Sequence, residues 1–377
     1  MKVPEGRQKI LVIGQTPPPY GGQAIMIENL LRANFQQVQF FHVRMAFSTD
    51  MDEIGKFKLA KVLILFKTIG QIIYHRFRHH IRVVYYPPAG PDRVPMYRDI
   101  LVLGCTRWLF RKTVFHFHAG GISELYPGVS APLRYFYRRA YFHPDASIRI
   151  SEYNPEDGKA FGSKRNYVVP NGVEDYWPRF QHRARGNPDR RANLLYVGVV
   201  RESKGILVLL ESCRLLKEKD RAFTLTVVGK FESPDFEQLV RRRVAEYGLQ
   251  ACVSFAGVHT GEQKFNHYFN ADIFCFPSYF ESETFGLVLL EAMQFHLPTV
   301  ATRWRGIPSV VEDGKSGFLV PVQDARAMAD QLALLIDDPA RRREMGRYGR
   351  ELYCKRFTLT AFNTSMETVF SDLTNHN

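Results

Sequence analysis

The chain has 377 residues, 45% of them hydrophobic, 13% aromatic and 24% charged, values that exclude a disordered tail or a fibre and, at this length, favour two hydrophobic cores over one. Its 51 Lys and Arg outnumber 38 Asp and Glu, for a net charge of +13; such a field favours anions of several kinds, nucleic acid, an acidic membrane surface or a phosphorylated small molecule, but no recognition helix, finger spacing or RNA-binding aromatic motif is visible, so no specific nucleic acid is expected. The five cysteines, Cys105, Cys213, Cys252, Cys275 and Cys354, are odd in number, widely spaced and without a C-x-x-C pair, which argues against a disulfide framework or a zinc ribbon and reads mostly as buried thiols.

Taken in chain order, residues 9–14 read as a buried strand. The short apolar run 10–13 ends in a glycine and prolines, as a first strand does and a secretory leader does not. A helix is expected at 23–33 and a strand at 38–43. Residues 57–77 have helical spacing, with Leu59, Val62, Leu63, Phe66, Ile69, Ile73 and Phe77 on one side and Lys58, Lys61, Lys67 and Arg76 off it. Lys61, Lys67 and Gln71 interrupt this greasiest region, which argues against a spanning helix; a cytoplasmic location is the expectation. The same helix fits two roles: a basic amphipathic surface lying on an anionic membrane, peripheral at its inner face, or a helix packed on its own sheet. Strands are expected at 82–86, 112–117, 147–150 and 167–169. Pro170, Asn171 and Gly172 then punctuate the chain, and the polar stretch 174–191, with Pro178, Gly186 and Pro188, reads as a linker.

The alternation restarts with strands at 193–197, 223–228, 253–255, 273–276, 299–301 and 318–320. Helices are expected at 205–217, 235–247, 286–295, 325–336 and 340–356, and the last segment, 359–377, is expected to make one more. Strand–helix alternation of this kind predicts α/β domains with parallel sheets covered on both faces. Ligands of such sheets lie beyond the carboxyl ends of the strands, so function is expected in the loops that follow strands.

Four such loops carry chemistry. The first, from Gly14 to Gly22, holds Pro17, Pro18 and Pro19, and its Gly21 and Gly22 permit close backbone approach at a helix start; it reads as a substrate-touching loop or as a plain tight turn. The second is His116-Phe117-His118-Ala119-Gly120-Gly121. Period-two geometry puts both histidines on one face unless the strand ends first; His116 reads as structural, and His118 is the one placed to meet a sugar hydroxyl or a developing charge. The third, 198–205, offers Gly198 for the turn, Lys204 as a cation and Gly205 for close amides, a credible diphosphate grip. Arg201 either assists there or is a solvated surface charge. The fourth runs from Phe276 to Gly286 and holds Glu283, with Glu291 eight residues on. The two carboxylates suit two hydroxylated parts of one ligand, through hydrogen bonds and not through a metal; exposed helix-start glutamates are the plain alternative. Farther on, Arg303 and Arg305 read as grips for an acidic acceptor or as surface charges, and Trp304 as a sugar cover or an edge seal.

The stretch Pro277-Ser278 with Glu283-Thr284-Phe285-Gly286-Leu287-Val288-Leu289-Leu290-Glu291-Ala292 resembles the E-x7-E region of the retaining GT-B glycosyltransferases often called family 4. Ala271-Asp272, Pro298, Gly306-Ile307-Pro308, Asp313-Gly314, Gly317 and Pro170-Asn171-Gly172-Val173 extend the likeness over nearly the whole chain. The resemblance implies a GT-B fold, two Rossmann-like domains with a facing cleft. Residues 1–175 would form the acceptor-binding domain, 176–191 a linker, 192–356 the nucleotide-sugar domain, and 357–377 a helix crossing back to the first domain. It implies catalytic roles for His118, Lys204 and Glu283, and donor binding by Gly21, Gly22, Gly198, Arg201, Lys204, Glu283, Phe285, Gly286, Leu287 and Glu291, with Glu291 on the nucleotide ribose. The family often has Arg after the glycine matching Gly198, where this chain has Val199. It often has Gly where His296 stands and Glu where Ser309 stands.

The reaction implied is retaining transfer of a hexose-like sugar from a nucleoside diphosphate donor, uridine or guanosine, to a saccharide or polyprenyl-linked acceptor in cell-surface polysaccharide assembly, with no cofactor and no metal. A nucleotide-sugar epimerase, a phosphorylase or an inactive saccharide-binding homologue are the competing readings.

Overall fold

The structure is a computed structural model describing residues 7–18, 21–45, 59–183 and 191–374. Pro19 and Tyr20 of the first loop, Phe57 and Lys58 of the expected basic helix, and Gly186 and Pro188 of the polar stretch lie outside the described residues. The chain divides into two units, Met1–Asn171 with Leu359–Asn377, and Gly172–Thr358.

The first unit contains β1 (Gln8–Gly14), α1 (Gly22–Arg32), β2 (Val38–Arg44), α2 (Leu59–Arg78), β3 (Val83–Tyr86), α3 (Arg93–Thr106), β4 (Lys112–Phe117), α4 (Ala131–Tyr141), β5 (Ala146–Arg149), the single turn α5 (Asp157–Ala160) and β6 (Asn166–Val168). All six strands are parallel, in the order β2-β1-β3-β4-β5-β6. Central strands of a parallel sheet are covered on both faces, and the continuous apolar run of β1 answers that demand: Ile10, Leu11, Val12 and Ile13 are all buried. The order reverses between β1 and β3.

The second unit contains β7 (Ala192–Val197), α6 (Ile206–Glu218), β8 (Phe223–Val228), α7 (Pro234–Glu246), β9 (Val253–Gly257), α8 (Gly261–Asn270), β10 (Ile273–Phe276), α9 (Leu287–Gln294), β11 (Thr299–Thr302), β12 (Gly317–Val320), α10 (Ala325–Asp337) and α11 (Pro339–Arg356). Its parallel sheet runs β12-β11-β10-β7-β8-β9. The chain moves outward from β7 to β9, then returns to place β10 on the other side of β7. The loops after β7 and β10 therefore leave the sheet in opposite directions and open a crevice at this reversal. Of the polar stretch before β7, Phe180 is buried against Phe269 and Phe295 of this unit.

The last helix, α12 (Leu359–Thr374), belongs to the first unit. Phe370 packs on Phe35, Phe40 and Tyr85, and Tyr167 donates to Asp372 at 3.1 Å.

Of the two roles expected for α2, packing on the sheet falls mainly to another side of the helix: Leu63, Phe66, Ile73 and Phe77 are exposed and Ile69 is half-buried, while Leu65, Thr68 and Ile72 face inward. The helix is apolar on two sides, and the stripe named from its spacing faces largely outward.

Candidate active site

The second unit assembles its candidate site at the sheet's reversal. Lys204 stands on a single 3-10 turn, Glu202–Lys204, after β7, and Glu283 stands in the loop after β10. Their side chains form an ion pair, 20% and 9% exposed. Ser278, fully buried, donates from Oγ to Glu283 Oε2 at 2.9 Å. An ammonium carries three donors, and Glu283 takes one of them, leaving Lys204 with capacity for further acceptors. Lys204 Nζ also lies 4.8 Å from the centre of the Phe280 ring, and the Arg201 guanidinium lies 5.0 Å from it. Two cations thus lie close to one aromatic ring. Arg201 is further held by Glu232 at 3.3 Å. Beneath them Tyr196 on β7 is buried and gives its hydroxyl proton to the carbonyl of Val199 at 2.9 Å; burial, helped by the Glu283 charge, pushes its phenol far above the usual range.

Glycine makes this closeness possible. Gly205 sits at φ 77°, and a Cβ there would stand 2.1 Å from the carbonyl oxygen of Pro277. The loop after β7 lies directly on the loop after β10, and the Tyr279 amide donates to the Ser203 carbonyl at 2.8 Å. Gly286, at φ 81°, caps the start of α9, with Leu287 as its first residue. The side chain of Phe285 is buried against Phe357, so any ligand contact from that residue falls to its backbone. Gly198 closes β7, its amide bonded to Val228.

Glu291 is the fifth residue of α9, just over one turn from its start. Lys264 Nζ meets its Oε1 at 2.6 Å, and the Tyr268 hydroxyl donates to its Oε2 at 2.8 Å. Each carboxylate of the Glu283–Glu291 pair therefore has its own lysine and its own hydroxyl. Residue-by-residue reading missed Lys264, Tyr268 and Ser278. Lys264 and Tyr268 stand on α8, whose signal was present: Phe265, Tyr268 and Phe269 recur at helical spacing and are all buried. Ser278 stood within the quoted Pro277-Ser278 pair after a strand, but nothing in the sequence gave it a role.

Trp304 donates from its indole nitrogen to the Phe280 carbonyl at 2.8 Å, tying the loop after β11 to the loop after β10. Arg303 pairs with Asp313 at 2.5 Å.

In the first unit, Gly21 and Gly22 stand at the start of α1, on the reversal between β1 and β3. Gly21 has φ −97°, a conformation open to any residue. His118 follows β4, one strand farther along. Its ring stacks on His116, with centroids 4.0 Å apart, so the two do share a face. His116 accepts or donates at Nδ1 with the Tyr85 hydroxyl, 2.6 Å away. Burial pushes His118 down to about 3 and, with the neighbouring His118 ring, pushes His116 well below the usual imidazole range. Both rings are neutral near pH 7, fit for hydrogen bonding to a hydroxyl and unfit to supply a resident positive charge. Asp157 holds the loop behind His118, accepting from the amides of Gly121 at 2.7 Å and Ser123 at 2.8 Å.

Among the described residues no group of three or more His, Cys, Asp or Glu side chains converges as a metal site would require.

Residues 179–352, within the second unit, match the model of the family described as glycosyl transferases group 1. The match covers most of that unit, and the chain has the two-domain, Rossmann-like GT-B fold. Over 275 residues the chain is 29% identical to WcaL of Escherichia coli strain K12, a protein assigned to colanic acid biosynthesis as a glycosyltransferase, covering 72% of this chain and 64% of that one. Over 188 residues it is 34% identical to the D-inositol 3-phosphate glycosyltransferase of Arthrobacter strain FB24, covering 48% of this chain and 44% of that one. The matched stretches thus span less than two-thirds of these relatives' own lengths. Anabaena HepE, solved in complex with UDP, superposes with a TM-score of 0.72 at 16% identity, over 97% of this chain and 100% of that one.

Proposed function

We propose that the chain is a retaining glycosyltransferase that moves a hexose-like sugar from a nucleoside diphosphate donor to a saccharide or polyprenyl-linked acceptor in surface polysaccharide assembly. The observation that carries this reading is the meeting of Lys204 and Glu283 at the sheet reversal of the second unit, where a glycine-dependent contact brings two post-strand loops together. Lys204, with Arg201 across the Phe280 ring, is assigned the diphosphate. Glu291, fixed by Lys264 and Tyr268, is assigned the ribose, whose two hydroxyls suit a carboxylate. The Gly198 turn and the backbone of Phe285, Gly286 and Leu287 are assigned the phosphates and the sugar. The first unit is assigned the acceptor, with Gly21 and Gly22 at a helix start and neutral His118 as a hydrogen-bonding partner of the transferred sugar.

In this reading the bond from the anomeric carbon to the diphosphate oxygen breaks while the bond to the acceptor oxygen forms on the same face. The acceptor's proton passes to the departing diphosphate oxygen. Glu283, already held by Lys204 and Ser278, acts on charge and position and forms no bond to the sugar. The WcaL likeness supports a polysaccharide setting, and the UDP complex of HepE makes uridine the first donor to try.

The test is a panel of uridine and guanosine diphosphate sugars read by mass, with lipid-linked and free saccharides as acceptors. Release of nucleoside diphosphate is expected only when an acceptor is added. Lys204→Ala and Glu283→Ala are each expected to lower turnover by about a hundredfold or more, the scale for removing one transition-state electrostatic contact. Wild-type turnover in both variants would sink the assignment; an isomerised donor without acceptor would make the chain an epimerase, and a phosphate requirement a phosphorylase.

A further inference from the structure

The outward face of α2, α3 and α4 has a composition that glycosyl transfer does not explain. Leu63 is 74% exposed and Phe66 66%, and Ile73, Tyr74 and Phe77 continue the same stripe along α2. Lys67 and Arg78 flank it. The face continues without a break in chemistry. Arg76 donates to the Leu109 carbonyl at 2.7 Å and so ties the end of α2 to the turn that presents Trp108, which is 68% exposed. Arg107 in that turn donates to the Ala140 carbonyl at 2.8 Å and ties it to α4. Between the end of α3, this turn and α4 runs a groove of about 440 Å³ lined by Arg107, Trp108, Arg111, Arg138 and Arg139; its acid, Asp145, is already paired with Lys164 at 2.7 Å. It opens beside the first residues of β4, at the amino ends of the strands, the opposite end from His118.

Charge decides the occupant. The three helices hold nine Lys and Arg against one acid, Asp99, and that acid is fully buried and bonded to Arg98. An apolar stripe without a basic border would suit a second copy of the chain; a basic face without the stripe would suit a soluble polyanion. The two together fit a surface that is greasy within and negative at its rim.

We infer that this face docks on an anionic lipid bilayer, with the α2 stripe and Trp108 entering the interface and the arginine groove receiving lipid phosphates. The inference stands apart from the transfer reading, because its test reads binding alone. The full chain is sedimented with vesicles of phosphatidylcholine, and with vesicles holding about a third phosphatidylglycerol, a charge density of the kind that attracts basic segments. Binding is expected on the anionic vesicles only, and it weakens as salt shortens the screening length. Arg138→Gln with Arg139→Gln is expected to cut partitioning about 25-fold, at about fivefold per charge. Leu63→Ser with Phe66→Ser is expected to cut it by at least about tenfold. Arg241→Gln with Arg347→Gln, exposed charges of the second unit, is the control and leaves binding unchanged; equal melting temperatures establish that every variant is folded. The inference is overturned by equal binding to neutral vesicles, by no binding, by wild-type binding of both face variants, or by a dimer that the Leu63→Ser, Phe66→Ser variant dissolves.

Discussion

The two site glutamates of the second unit, Glu283 and Glu291, are held in place before any ligand arrives. Glu291 spends one oxygen on Lys264 and the other on the Tyr268 hydroxyl. A partner fixed in this way is positioned at little further entropic cost when a ribose binds. Tyr268→Phe removes one of those bonds and keeps the ring packing on Phe274. It is expected to lower stability by about 1.5–3 kcal/mol, the net worth of a hydrogen bond to a charged group, and to raise KM for the donor more than it changes kcat. An unchanged KM, read in donor titrations at saturating acceptor, would remove Glu291 from the ribose. The stacked histidines give a second prediction. His118 is pushed down to about 3 in the folded chain from an ordinary 6.5. Between those values the unfolded chain binds the proton and the folded chain does not, so stability falls as pH drops below about 6.5, at about 1 kcal/mol per pH unit from this ring. His118→Gln is expected to flatten that slope when denaturant midpoints are compared from pH 7 down to pH 5; an identical slope would mean the ring is not buried neutral.

At the scale of elements, the site depends on two loops that touch through glycine. Gly205→Ala would set a methyl group 2.1 Å from the Pro277 oxygen at a positive φ. Backbone cannot yield as a side-chain tip can, so the expected cost is about 2–3 kcal/mol, with a loss of turnover beyond what the drop in melting temperature explains. A variant that melts and turns over like the parent would show that the loops are not in contact. The loops themselves were legible in the sequence, because glycines, prolines and charged residues interrupt apolar strands at 198–205 and 276–286. Beyond the single turn α5, three helices were not. The α3 segment contains Pro95 and Gly104, and its apolar residues do not gather on one side. The α4 segment carries three arginines and exposed Tyr135 and Phe136 among its buried positions. The α8 segment is polar, and its buried aromatic triplet was overlooked. With α8 went Lys264 and Tyr268.

At the scale of the whole molecule, each unit has a hydrophobic core of its own among the described residues, one around β7, α6 and α10 and one around β1, β4 and α4. Residue 359 onward belongs to the first unit, although 187 residues of the second unit stand between it and residue 171. Removal of residues 359–377 strips Phe370 from Phe35, Phe40 and Tyr85 and takes the Asp372 partner from Tyr167. Calorimetry of the shortened chain is expected to show the first unit melting earlier and the second nearly unchanged, since each core unfolds on its own terms. A single transition shifted as one would contradict that separation.

Composition and spacing by themselves determined the α/β class, the two-unit plan and the post-strand loops, because strand periodicity, buried apolar runs and glycine turns are local properties that short windows carry. The identity of the partners was decided only in three dimensions. Nothing near Glu283 or Glu291 in the chain pairs them with Lys204 or Lys264: Lys204 arrives from 79 residues away because β7 and β10 lie side by side, and Lys264 from 27 residues away on α8, the helix just before β10. The α2 stripe makes the same point in reverse. Helical spacing shows that apolar residues share a side; which side meets the core depends on the neighbours that cover it, and these left Leu63 and Phe66 facing outward.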